Sequence, residues 1–212
     1  MMPRFTIIAA AALCLACLSA FAVPAAASEA RDVLENTVNR VLTELKKPAM
    51  RDPATRPPVL ANIEKIIRQL FSFDELSMRS VGPKWQSFTP EQKTQFGTAF
   101  EDLLRARYLN SMGGYDGEKI AYTGETASTK GDKVEIQTVV ESAGKSVPVA
   151  YRMLKTDRWL VYDVIIEGVS LVQNYRAQFQ ATLDRNKGDV DALIRSIRQT
   201  TDELAAAKTP VN

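Results

Sequence analysis

The sequence predicts an α+β fold: helices packed around a four-stranded antiparallel meander. Two observations carry that expectation. From Lys119 to Ile166 apolar residues recur with a period of two, broken at short turn-forming pairs. On both sides of that stretch the period is 3.6, and Pro, Gly and capping residues mark the helix ends. The apolar face of such a sheet has to be covered, and the flanking helices are what can cover it.

The N-terminus is read separately. Met1 to Arg4 is a short basic stretch, Phe5 to Val23 is apolar, and Pro24-Ala25-Ala26-Ala27 supplies small residues. This is the pattern of a secretory signal peptide cleaved after Ala27, so residues 1–27 are assigned to export and 28–212 to a single domain. Cys14-Leu15-Ala16-Cys17 lacks the usual Leu three residues before a lipidated Cys and sits inside the apolar run, which disfavours a lipoprotein signal. Both cysteines of the 212-residue chain fall in the signal, and the chain has no His. The exported part therefore has no disulfide framework, no thiol nucleophile and no imidazole base or ligand. Losing Arg4 leaves it close to neutral, without a basic stripe, so nucleic acid is not an expected partner.

Ser28 to Lys47 reads as a helix capped by Ser28, with Val33, Leu34, Val38, Val41, Leu42 and Leu45 at helical spacing. A Pro-rich connector follows. Val59 to Phe71 forms a second helix, and Ser72-Phe73-Asp74-Glu75-Leu76 opens a short third one ending near Gly82-Pro83. Thr89-Pro90-Glu91-Gln92 has the residues of a capping box with Pro at the first helical position. The helix it starts carries Phe96, Phe100, Leu103, Leu104 and Tyr108 to about Ser111. Gly168 ends the sheet, Val169 to Lys187 is helical, and Asp189 caps a last helix.

Within the sheet, Lys130-Gly131, Ala143-Gly144 and Thr156-Asp157 are the expected two-residue hairpin tips. The second tip pairs Val140 with Val147, Ile136 with Tyr151 and Glu135 with Arg152. The third pairs Met153 with Leu160, Tyr151 with Tyr162 and Val149 with Val164. One face then carries Val134, Ile136, Val140, Val147, Val149, Tyr151, Met153, Leu160, Tyr162, Val164 and Ile166. The other carries Arg152, Pro148, Ala150, Trp159, Val161 and Asp163. A one-residue error in a tip would exchange the faces of a strand.

Catalytic readings fare poorly. Asp163 and Glu167 could be a carboxylate pair, but at that spacing a regular strand end holds them apart, and a structural role is preferred: Asp163 with Arg152, Glu167 at a turn. Gly168-Val169-Ser170-Leu171 lacks the second Gly of a nucleophile elbow, so Ser170 reads as a helix cap. Arg176 is a candidate for a phosphate contact, with a structural ion pair favoured over it. Apolar periodicity is met equally by a filled core and by a cavity.

Several segments together resemble the MlaC, or toluene-tolerance, family. They are Val81-Gly82-Pro83-Lys84-Trp85; Thr89-Pro90-Glu91-Gln92 with Phe96, Phe100 and Leu104; Tyr151; Trp159 through Val172; Asn174-Tyr175-Arg176; Phe179; and Leu193. Pro83 departs from the family pattern and bears on the local helix end. The resemblance implies a non-enzymatic periplasmic phospholipid carrier with an apolar cavity between helices and sheet. Its cargo would be phospholipid, with no cofactor and no metal. Its partners would be an inner-membrane MCE-domain ABC transporter complex and an outer-membrane lipoprotein/porin complex, and its role the maintenance of outer-membrane lipid asymmetry. The candidate cavity-lining residues are Trp85, Phe96, Phe100, Leu104, Tyr108, Val140, Val147, Val149, Tyr151, Tyr162, Val164, Ile166, Val172, Tyr175 and Phe179. Arg152, Asp163 and Arg176 are candidates for structural or head-group charge. Two acyl tails need roughly 900 Å³, near the top of the usual range for pockets. The alternatives are another envelope lipid such as a hopanoid, and a periplasmic adaptor with a filled core.

Overall fold

The computed structural model describes residues 25–142 and 144–207. Helix α1 (Ala25–Leu45) and helix α2 (Pro57–Leu70) form an antiparallel pair, followed by α3 (Phe73–Val81) and a 3₁₀ turn (Gly82–Ser87). Helix α4 (Pro90–Tyr108) runs into a second 3₁₀ segment (Leu109–Gly114). Strands β1 (Lys119–Ala127), β2 (Lys133–Ser142), β3 (Lys145–Lys155), β4 (Trp159–Ile166) and β5 (Val169–Ser170) then pair in sequence order, all antiparallel. Helices α5 (Leu171–Arg185) and α6 (Val190–Ala206) close the chain.

The caps follow the sequence with one exception. Thr89 and Gln92 form the full capping box of α4, and Asp189 accepts the Ala192 N–H at the start of α6. Ser28, expected to cap α1, lies inside it, because that helix already begins at Ala25. The segment expected to be a signal peptide falls mostly on residues outside those described, as does Ala143 of the second hairpin tip.

The meander is longer than expected by one strand. Glu167 (φ 50°) and Gly168 (φ 81°) both adopt left-handed backbone, which makes them a two-residue hairpin tip and not a strand end. Ile166 pairs with Val169 across it, and Ser170 rather than Val169 precedes the helix. The second tip is as expected, with Ser142 opposite Lys145 and Glu135 opposite Arg152. The first is not: Ala127 pairs with Val134 in the ladder, and Ser128 to Asp132 form the connection.

The third tip corrects the register of β4. Lys155 pairs with Trp159, so the loop has three residues, Thr156 to Arg158. Trp159 and Val161 therefore join Met153 on the core face, where both are fully buried, and Leu160 moves to the other. A bulge opposite Arg152 and Met153 then leaves Tyr162 as the extra residue. The bulge reverses the shift, so Val164 and Ile166 return to the face of Tyr151 and Val149. Tyr162 does not: its ring lies under the Arg79 guanidinium, 4.4 Å away.

The buried side chains fall into three clusters. The largest joins α3 to α6 and is built on Phe88, Phe96, Phe100, Tyr175 and Phe179. A second lies between α1 and the sheet, with Leu34, Ile136, Met153, Trp159 and Val161. The third ties the end of α1 and α2 to the 3₁₀ segment through Leu45, Met50, Val59, Ile63 and Leu109.

Candidate functional site

A cavity of about 520 Å³ opens between these clusters. Helix α1 supplies Leu34, Val38, Val41, Leu42 and Leu45, and α2 supplies Ile67 and Leu70. Phe71, Phe73 and Leu76 enter from the start of α3, and Leu104 and Tyr108 from α4. Leu109, Met112, Tyr115 and Ile120 close one end, and Tyr151, Val164, Ile166 and Leu171 close the sheet side. The space exceeds any packing defect: interiors this size do not stay open between side chains that could collapse onto one another. It is smaller than the roughly 900 Å³ expected for two tails.

Local sequence explains the shape. The α1 and α2 stripes are joined by an eleven-residue connector, and Leu45 packs on Val59 and Ile63 while Arg40 reaches Gln69, so the helices return antiparallel and present both stripes to one surface. Phe71 leaves the helix in extended conformation and bridges to Val161 of β4, which anchors the far end of α2 against the sheet. The α4 stripe divides: Phe96 and Phe100 turn into the aromatic cluster, while Leu104 and Tyr108, further along, reach the cavity.

Of the residues singled out from the sequence, Leu104, Tyr108, Tyr151, Val164 and Ile166 line the cavity. Phe96, Phe100, Tyr175, Phe179 and Val172 instead fill the helical core, with Trp85 packed on its edge. Ring centroids there stand 4.9 Å apart for Phe100 and Tyr175 and 5.3 Å for Phe96 and Phe179, which leaves no room for a ligand. Val140, Val147 and Val149 lie on the cavity's side of the sheet but beyond its lining. Tyr162 is on the opposite face. The α1 and α2 contribution was visible in the sequence only as two helical stripes with nothing to say what they face.

Burial pushes the Tyr151 hydroxyl above its ordinary pKa, so the phenol stays neutral in the cavity wall. The charged side chains at the cavity are Glu64, Arg68, Glu101, Arg105 and Glu118. Arg68 lies 3.3 Å from Glu64 and 2.9 Å from Glu101; Arg105 lies 2.9 Å from Asp102. Both arginines are half-exposed, and Tyr108 and Ile166 are 38% and 40% exposed, so these residues mark the mouth. Burial holds the Glu101 carboxyl above its ordinary pKa, with Arg68 opposing.

Asp163 and Arg152 lie away from the cavity and form a joint. Asp163 accepts the Ser170 hydroxyl (2.7 Å) and the Val172 N–H (3.1 Å), and Arg152 stands 3.4 Å from it and 2.9 Å from Glu135. Arg176 donates from Nε to the Arg79 carbonyl at 2.8 Å and covers Gly82, whose φ of 72° suits only glycine there. Among the described residues no group of His, Cys, Asp and Glu has metal-site geometry.

The sequence profile of the family described as MlaC protein matches residues 35–199. The chain belongs to the MlaC family. Among curated relatives, the MlaC-family chain is 26% identical over 186 residues to the toluene tolerance protein ttg2D of Pseudomonas putida, covering 86% of this chain and 85% of that one. It is 23% identical over 128 residues to the intermembrane phospholipid transport system binding protein MlaC of Haemophilus influenzae, covering 58% and 59%. A solved structure of the phospholipid-binding protein from Ralstonia solanacearum in complex with a phospholipid superposes with a TM-score of 0.74. It is 25% identical and covers 84% of this chain and 99% of that one. This MlaC-family chain thus shares its fold, and its two-layer arrangement of helices on an antiparallel sheet, with a protein seen holding a phospholipid.

Proposed function

We propose that the protein is a phospholipid carrier of the bacterial periplasm, exported by a signal peptide cleaved after Ala27 and folded over 28–212 as one lipid-binding domain. The observation that carries the reading is the apolar cavity between α1, α2, α4 and the sheet, in a fold shared with a phospholipid complex. Its volume, about 520 Å³, lies within the usual range for small-molecule pockets. Each buried methylene is worth about 0.8 kcal/mol against water. A bilayer offers the same gain, so the carrier exchanges lipid with a membrane near balance and needs no covalent chemistry. Loading and unloading are then left to partners, for which the family implies an inner-membrane MCE-domain ABC transporter complex and an outer-membrane lipoprotein/porin complex.

Native mass spectrometry of protein purified without detergent tests the reading. Glycerophospholipid masses on the intact chain are the expected result; an empty protein, or a hopanoid in its place, overturns it. Two substitutions locate the cargo. Val164→Trp fills the cavity from β4 and should abolish bound lipid, whereas Val149→Trp, outside the lining, should leave it in place. A filled-core adaptor would hold no lipid in either form.

A further inference from the structure

We infer that the Arg68–Glu101 contact at the cavity mouth is an exchangeable ion pair that selects phospholipids with a zwitterionic, amine-bearing head group. This rests on the carrier reading and adds a specificity to it. The cavity wall is otherwise mostly apolar, and four of its five charged side chains, Glu64 and Arg68 of α2 and Glu101 and Arg105 of α4, stand on these two helices, so a bound lipid's polar end leaves between them. Arg68 is half-exposed there and reaches two carboxylates, Glu64 and Glu101. Its hold on Glu101 is incomplete. Glu101 Oε1 lies 2.9 Å from Arg68 Nη2, yet receives no hydrogen bond and is closed to solvent. A carboxylate oxygen buried without a directed donor is costly, and a better donor offered at that place would be favoured.

An arriving phosphodiester competes for Arg68, since a guanidinium pairs with phosphate as well as with carboxylate. What happens to Glu101 then depends on the rest of the head group. With phosphatidylethanolamine, Arg68 moves from Glu101 to the phosphate and the lipid ammonium takes its place at Glu101, so both ion pairs are kept. With phosphatidylglycerol no cation replaces Arg68, and a partly buried carboxylate is left beside a phosphate. The charged groups around the mouth, Glu64, Glu101 and Asp102 against Arg68 and Arg105, deepen the penalty for a lipid that brings only negative charge.

Vesicles of equimolar dioleoyl phosphatidylethanolamine and dioleoyl phosphatidylglycerol test this. The purified protein is incubated with them, re-isolated, and its bound lipid quantified by mass spectrometry. The expected ratio is about fivefold in favour of the ethanolamine lipid, the worth of one half-exposed ion pair. N-acetylated phosphatidylethanolamine, which keeps the phosphate and loses the ammonium, should fall to the level of the glycerol lipid. Glu101→Gln should bring the ratio to about one. A wild-type ratio near one overturns the inference, as does an N-acetylated lipid that loads like its parent, or a ratio that Glu101→Gln leaves unchanged. Uptake of none of these lipids overturns the carrier reading itself, and this inference with it.

Discussion

Asp163 is 2% exposed, and each of its contacts goes to a different part of the chain: the Arg152 guanidinium on β3, the Ser170 hydroxyl on β5 and the Val172 N–H at the start of α5. Ser170 in turn accepts the Gln173 N–H as the helix cap. Strand, turn and helix are thus fastened by one carboxylate, which is the structural role its sequence neighbours suggested. Asp163→Ala leaves two buried donors without an acceptor and should cost about 3 kcal/mol in urea unfolding. Ser170→Ala should cost about 1 kcal/mol. Because the two share a contact, the double variant should cost less than their sum by more than about 0.5 kcal/mol; additivity within that margin would show they act independently. Glu101 gives a pH dependence. Burial raises its pKa, so the unfolded chain ionises first as pH rises. The stability it costs is absent below its ordinary value of 4.5 and fully felt above the raised one. Glu101→Gln should therefore match wild type at low pH and equal or exceed it at pH 7 by thermal unfolding. A variant less stable at neutral than at acid pH, relative to wild type, would reverse the assignment.

At the scale of elements, β4 is where sequence and structure part and rejoin. Alternation alone put Leu160 and Tyr162 inward; the third loop residue and the bulge at Tyr162 put Trp159, Val161, Val164 and Ile166 there. Deleting Asp157 would restore a two-residue tip and force a choice between an exposed Trp159 and Val161 and a shifted ladder. The expected result is a loss of more than about 4 kcal/mol or of cooperative unfolding altogether, read by circular dichroism; a variant as stable as wild type would mean the loop length does not set the register. Helix positions, the capping box at Thr89 and the ladder between β2 and β3 were legible because each depends on local chemistry: a cap, a breaker, a Gly with positive φ. The cavity was not legible in the same way. Phe96 and Leu104 sit on one stripe of one helix and are alike in pattern, yet one packs among four rings and the other faces open space. What separates them is where α1 and α2 come to lie, and that is set by tertiary packing, not by the residues' own spacing.

The whole molecule then divides into a part that is filled and a part that is not. In α3 to α6 the Phe96, Phe100, Tyr175 and Phe179 rings touch one another at centroid separations of 5.2 to 5.8 Å along the contacts of Phe100 and Phe96 with Phe179 and with each other. No ligand is needed to complete that half. The α1–α2 pair is different: Leu34 and Leu70 meet the sheet and also border a cavity that water would enter only at a cost. The pair is also tied to its surroundings by ion pairs of modest worth whose arginines are half-exposed, Arg31 with Glu125 and Arg68 with Glu101. Local opening should therefore be easiest in α1, α2 and the 3₁₀ segment Leu109–Gly114, whose side chains share the third cluster. A lipid that binds the closed form alone stabilises it by about 2.7 kcal/mol at a hundredfold excess over Kd. That gain should reach the lining elements first. Hydrogen exchange of lipid-loaded against lipid-free protein should show slower exchange in α1, α2 and Leu109–Gly114, with the amides of α5 and α6 little changed. Uniform protection across both halves would mean that filled core and cavity open as one unit, and that the cargo is held by the fold as a whole rather than by a hinged pair of helices.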